Sequence, residues 1–155
     1  MRKTFEMATP EHVEAMRGRI RQADQDECMA ASGVTAEDAL LEGIRLTDYP
    51  VAALVDGEVV CVFGVRRLTI LGATGIPWML GTDALDRHAR ELLSLGRYYL
   101  GVQMETFRVL TNWVDARNTR SIRWLRKLGF QVFEPEPYGK AGLPFCRFVM
   151  EAKHV

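Results

Sequence analysis

Two apolar runs, residues 76–81 and 109–114, flank a single long amphipathic segment, and this arrangement constrains the fold more than any other feature. The segment between them opens at Thr82 or Asp83 and places Leu85, Ala89, Leu92, Leu93, Tyr99 and Leu100 on one stripe, the spacing of a core-facing helix. A strand, a crossover helix and a further strand imply a parallel pair in one sheet. The runs VAALVD and VVCVFGVRRLTI precede it, joined at Asp56-Gly57, a strong antiparallel hairpin signal.

Residues 114–130, VDARNTRSIRWLRKLGF, read as the end of a strand, a polar corner, a short helix capped at both ends and the start of another strand. Asn118 suits the N-cap, because its side-chain carbonyl can accept a backbone N–H that the first turn leaves free. Ile122, Leu125 and Leu128 form an apolar stripe, with Arg120, Arg123, Arg126 and Lys127 largely outside it. Gly129 can take positive φ and end the helix. At the other end of the chain, Phe5 and Met7 suggest a first strand. Thr9-Pro10 then opens a helix that the pattern continues through Val13, Met16 and Ile20 towards Ala30. On that helix Arg17, Arg19 and Arg21 should spread over a solvated surface. Gly33 breaks it, and Thr35 caps a second helix with Glu37 and Asp38 in its first turn. Strands at 131–133 and 145–150 close the chain around a Pro- and Gly-rich loop.

The predicted order is β-α-α-β-β-β-α-β-α-β-β, an α/β (α+β mixed-sheet) domain spanning residues 1–155. A chain of 155 residues can bury roughly 70% of its unfolded surface around one core. Lys plus Arg and Asp plus Glu number 20 each, so no net field recruits nucleic acid or an anionic membrane. No run approaches membrane-spanning length or the form of a signal peptide. Cys28, Cys61 and Cys146 lack paired spacing, which implies reduced thiols and a cytoplasmic setting. His12, His88 and His154 are scattered, so no metal is expected. Trp78, Trp113 and Trp124 are expected to fill the core.

The pattern Asn-x-x-Ser-x-x-Trp-Leu-x-x-Leu-Gly-Phe resembles the last helix of the GCN5-related N-acetyltransferases (GNAT), and the element order resembles that fold nearly end to end. WMLGTDAL, followed by a helix and NWVDARNTRSIRWLRKLGF, is also similar to the acetyltransferase-like internal virion protein A group of short-tailed phages. The resemblance implies a central parallel pair that splays after Trp78 and before Asp115, with acetyl-CoA in the gap. Its pantetheine arm would bond to the backbone of Met79, Leu80 and Gly81, and its pyrophosphate would meet the following helix N-terminus. Asn118 would flank the cofactor, and Ser121 would fill the small-residue position of the motif.

The sequence departs from the family in two places. The phosphate-binding Arg/Gln-x-x-Gly-x-Gly/Ala is replaced by Arg87-His88-Ala89-Arg90-Glu91-Leu92. Arg87 and Arg90 either pair with Asp83 and Asp86 at i,i+4 spacing or turn to the phosphates in place of backbone N–H groups. Leu125 stands where the family has a proton-donating Tyr, leaving Tyr98, Tyr99 or Tyr138 as substitutes, although Tyr99 falls on the apolar stripe. Asp115 is the positional candidate for general base, with a local pair to Arg117 or Arg120 as its other role. Two functions follow. One is acetyl transfer from acetyl-CoA to a primary amine on a small molecule or protein. The other is a non-catalytic GNAT-fold phage protein, a virion component or host-protein binder.

Overall fold

Seven strands run side by side in the order β1-β2-β3-β4-β5-β8-β6, and an eighth, β7, shares the outer edge of β8 with β6. The computed structural model describes residues 1–153, so the expectation for His154 lies outside the described residues. The strands are β1 Lys3–Met7, β2 Val51–Val55, β3 Glu58–Arg67, β4 Thr74–Gly81, β5 Val109–Asp115, β6 Gln131–Val132, β7 Glu136–Tyr138 and β8 Leu143–Glu151. The helices are α1 Pro10–Met16, α2 Gln22–Ser32, α3 Ala36–Leu46, α4 Asp83–Thr106 and α5 Thr119–Leu128. Each sheet pair is antiparallel except β4 with β5.

The parallel pair is short. It joins Thr74 to Val109 and Gly75 to Leu110. A Cβ at Gly75 would lie 2.6 Å from Val65 Cγ1 and 2.8 Å from Leu110 Cδ2, so only glycine permits that approach. Beyond it the strands separate, and the gap opens from Ile76 rather than after Trp78.

Helices cover both faces. Val13, Met16, Ala36 and Leu40 from α1 and α3 pack with Ala52, Leu54, Val62 and Leu80 on one face. On the other, α4 and α5 close over Val65, Leu110, Val114 and Phe148, with Ile122, Leu125 and Leu128 packed against that cluster as the stripe predicts. Thr35, Thr82 and Asn118 each accept a first-turn N–H, and Gly33 and Gly129 end α2 and α5 at φ +69° and +111°.

The single first helix of the sequence reading is two. α1 stops at Met16 and α2 begins at Gln22, with Gly18 at φ +78° in the corner. The intervening segment runs along the end of β4. Ile20 bridges Thr82, and Arg21 N–H donates to Gly81 C=O at 2.9 Å. Backbone bonds to a neighbouring strand outweigh the helical pattern there. The expected spread of three surface arginines fails for the same reason: Arg17 and Arg19 are exposed, but Arg21 is buried. The Pro- and Gly-rich loop also contains a strand, β7, aligned on the first residues of β8.

Candidate active site at the splayed strands

Helix α2 spans the wide end of the gap and holds it open. Asp24 and Glu27 lie three residues apart, hence on one helix face. Asp24 Oδ2 accepts the Gly81 N–H at the end of β4, at 2.8 Å, and Glu27 Oε1 accepts the Asp115 N–H at the end of β5, at 2.7 Å. Each diverging strand thus bonds to a carboxylate where it would otherwise need its neighbour. Within the gap, Asn112 Nδ2 donates to Pro77 C=O at 2.8 Å, while its Oδ1 accepts the Trp113 N–H at 2.8 Å. One side chain replaces a ladder bond.

The alternation of β4 settles which backbone groups remain. Both Gly81 groups and the Pro77 carbonyl bond away from β3, so Met79 also faces the gap, and Trp78 and Leu80 face β3. Pro77 is tolerated because its missing N–H falls on the unpaired side.

A cavity of about 940 Å³ occupies the gap and reaches both faces of the sheet. On the α2 side its wall includes Glu27, Cys28, Trp78, Trp113, Tyr138 and Phe145. Trp113 and Tyr138 stack at 4.3 Å and 13°, and Trp78 is fixed by donation from Nε1 to Thr47 Oγ1 at 2.9 Å. On the α4–α5 side the wall includes Met79, Leu92, Tyr99, Ser121, Trp124 and Leu125. All three tryptophans line the cavity; Trp78 and Trp124 also pack against the core as the sequence suggested, whereas Trp113 belongs to no core cluster.

Glu27 is the cavity carboxyl raised to near neutrality. Its carboxyl is raised from the ordinary 4.5 to about 7. Burial is the largest cause, and the negative charges of Asp24 and Asp115 add to it against the Asp115 N–H bond and Arg21. It retains some accessible surface because it faces the cavity. Asp115 behaves in the opposite way. Burial pushes its carboxyl up, but bonds from the Arg117 guanidinium and backbone N–H hold it below the usual value. Burial pushes the Cys28 thiol and the Tyr99 hydroxyl up to about 12, so neither ionises readily.

No family model matches the sequence, and no curated protein matches it. Solved structures do match over nearly the whole chain. Ard1 from Thermoplasma volcanium superposes with a TM-score of 0.71 at 16% identity, covering 99% of this chain and 100% of that one. The acetyltransferase of GNAT family from Streptococcus pneumoniae gives 0.63 at 12%, covering 98% and 100%. The yncA structure from Salmonella typhimurium, with its cofactor acetyl-CoA, gives 0.63 at 16%, covering 99% and 95%. The fold is that of the GNAT acetyltransferases.

The GNAT resemblance assigned a set of residues, and the structure distributes them unevenly. Met79, Leu80, Gly81 and Ser121 line or border the gap. The Leu80 backbone is turned to β3, however, and the Gly81 N–H is already bonded to Asp24. Asp115 is bound to Arg117, the local pair the sequence offered as its other role, and is not among the residues lining the cavity. Asn118 is a buried cap that accepts from Ser121 N–H at 3.3 Å, and its Nδ2 has no partner among the described residues.

Arg87 and Arg90 are exposed on α4. The anticipated i,i+4 pairs do not form among the described residues. Asp86 instead reaches across to Arg21 at 3.0 Å and Arg120 at 2.8 Å.

The helix end that binds pyrophosphate in the GNAT family is here internally satisfied. Asp83 N–H donates to Arg19 C=O, Ala84 N–H to Thr82 Oγ1, and Leu85 N–H to Thr82 C=O. Helix α4 follows β4 after one residue, leaving no loop to wrap a phosphate. The gap and the Met79 backbone suit a slim acyl arm. The α4 terminus, with Asp83 and Asp86, does not suit a diphosphate.

Sequence reasoning missed Glu27, Asp24, Asn112 and the burial of Arg21. The i,i+3 spacing of Asp24 and Glu27 is in the sequence, but nothing local shows that this face meets the ends of β4 and β5. Among the described residues no helix is long and apolar enough to cross a membrane.

Proposed function

We propose that this chain catalyses N-acyl transfer to a primary amine, with Glu27 as general base. The observation that carries the reading is a carboxyl near neutral pKa, lining a cavity that passes through the gap of the splayed strands. A base of that strength is half ionised near neutral pH, where it can both accept and release a proton. A bound acyl thioester of coenzyme A would supply an activated carbonyl. Glu27 takes the proton that the amine loses as its nitrogen bonds to the acyl carbon and the carbon–sulfur bond breaks. Met79 offers its backbone to the acyl arm. The aromatic wall on the α2 side excludes water and orients the amine. In this reading Asp115 positions Glu27 through its N–H, and Arg87 and Arg90 are the cations available to a phosphate outside the closed α4 terminus.

A specific observation supports a second reading, a non-catalytic descendant of the fold that binds a host or virion protein. The N–H groups at the start of α4 are already bonded, and Asp86 is clamped by Arg21 and Arg120. The sequence likeness to the phage internal virion protein A group agrees with it.

Titration of acetyl-CoA into the purified chain separates the two. Binding at a hundredfold the dissociation constant adds about 2.7 kcal/mol to stability. A raised melting temperature together with acetylated amine supports the enzyme; no shift at saturating acetyl-CoA removes it. Arg87→Ala with Arg90→Ala weakens any binding that depends on those cations.

A further inference from the structure

We propose that the α2-side chamber binds a monoamine with an aromatic or bulky apolar body, and discriminates against polyamines and amino sugars. The inference rests on the acceptor side assigned above and adds the chemical class of its occupant.

Three features carry it. First, the chamber is built from aromatic surface on four strands: Trp78 from β4, Trp113 from β5, and Tyr138 from β7 with Phe145 from β8, whose ring centroids are 5.3 Å apart. Three of these rings make oriented contacts within the wall. Trp113 is stacked on Tyr138, and Trp78 is bonded to Thr47. The Trp78 ring lies against Gly43 and Gly64, where an added Cβ would approach it to 3.0 and 3.3 Å. Flat faces of this kind bind apolar and cationic groups, not hydroxyl-rich rings that need many hydrogen bonds.

Second, the chamber presents one uncommitted acid. Glu27 spends one oxygen on the Asp115 N–H, and its other oxygen has no bond among the described residues. Asp24 is fully engaged by Arg21 and Gly81, and Glu42 lies exposed at the rim, where solvent screens it. A single ammonium finds a partner. A second one finds none, and the nearby Arg21 and Arg66, which also line the cavity, repel it.

Third, that acid lines the chamber beside the gap, bonded to the Asp115 N–H at the end of β5, so an amine head bonded to Glu27 leaves its body against the rings. Glu27 is faced by Asp24, Arg21 and Cys28 from its own helix and by Asp115 and Arg117 from the end of β5. Because its carboxyl is raised, binding of a protonated amine should strengthen as pH rises through about 7.

The test uses the full chain without acyl donor, following tryptophan fluorescence and heat on titration with phenethylamine, its neutral isostere phenethyl alcohol, and spermidine. The expected result is saturable binding of phenethylamine, at least about tenfold tighter than either comparison. Glu27→Gln should bring phenethylamine down to the level of the alcohol, and Tyr138→Leu should weaken both together. Should Glu27→Gln fail to fold, the pH dependence of phenethylamine binding in the unmodified protein replaces it. Spermidine binding as well as phenethylamine, equal affinity for amine and alcohol, or no binding of any probe overturns the inference. Acetylation of spermidine but not phenethylamine would also sink it while leaving acyl transfer intact. Phenethylamine binding without turnover at saturating acetyl-CoA would sink the catalytic reading and leave this one standing.

Discussion

Glu27→Gln provides the sharpest stability test, because the substitution keeps the carbonyl that accepts the Asp115 N–H and removes only the ionisation. In the folded chain the Glu27 carboxyl holds its proton up to about pH 7, against 4.5 for an ordinary glutamate. Between those values the folded state binds more protons than the unfolded state, so stability falls as pH rises. Above the folded value the full penalty is present, about 3 kcal/mol for a carboxyl moved that far. Glutamine has no such penalty. The variant should therefore match the native chain at about pH 4.5 and exceed it by up to about 3 kcal/mol at about pH 8. For a chain of this size that is a gain of about 6–12 °C in melting temperature. Urea unfolding of both proteins across that pH range measures the difference directly, since all other titrations cancel. A difference that stays flat with pH would show that Glu27 is solvated as any surface acid is. The general-base assignment would then lose its physical basis.

The remaining predictions concern the frame around Glu27. Arg21→Ala leaves Asp24 buried without its cation and should cost about 3–5 kcal/mol in chemical denaturation; a loss under about 1 kcal/mol would mean the pair is solvent-compensated. Gly64→Ala drives a Cβ to 2.7 Å from Thr47 Cγ2 and against Trp78. It should cost about 1–3 kcal/mol and alter the tryptophan emission, and an unchanged spectrum would refute the packing of Trp78. Asn118→Ala removes the cap of α5 at a cost of about 1 kcal/mol, read from the urea midpoint. If the enzyme reading holds, acetylation by the native chain should rise with pH through about 7, and Glu27→Gln should lower kcat/KM by about 10²–10⁴-fold and remove that rise.

Much of the architecture was written locally. The Asp56-Gly57 turn has both residues at positive φ, and Thr35, Thr82, Asn118, Gly33 and Gly129 mark helix ends where the pattern placed them. Caps and turns are legible because their chemistry is satisfied within four residues. The break between α1 and α2 was not, since the bonds that reward it run to β4, some sixty residues away. Nor was β7, whose three residues form a strand only because β8 offers an edge.

The sequence alone determined the crossover that makes β4 and β5 parallel, the capped corner after β5 and the loss of the phosphate-binding glycines. These follow from periodicity, from residue conformational preference and from what a side chain lacks. The tertiary structure decided which ionisable groups matter. It clamped Asp115 with Arg117, buried Arg21 between two acids and set Glu27 in the wall of a cavity. The acidity of a carboxyl is fixed by the dielectric and charges around it, and those are contributed by segments distant in the chain. No local pattern records them.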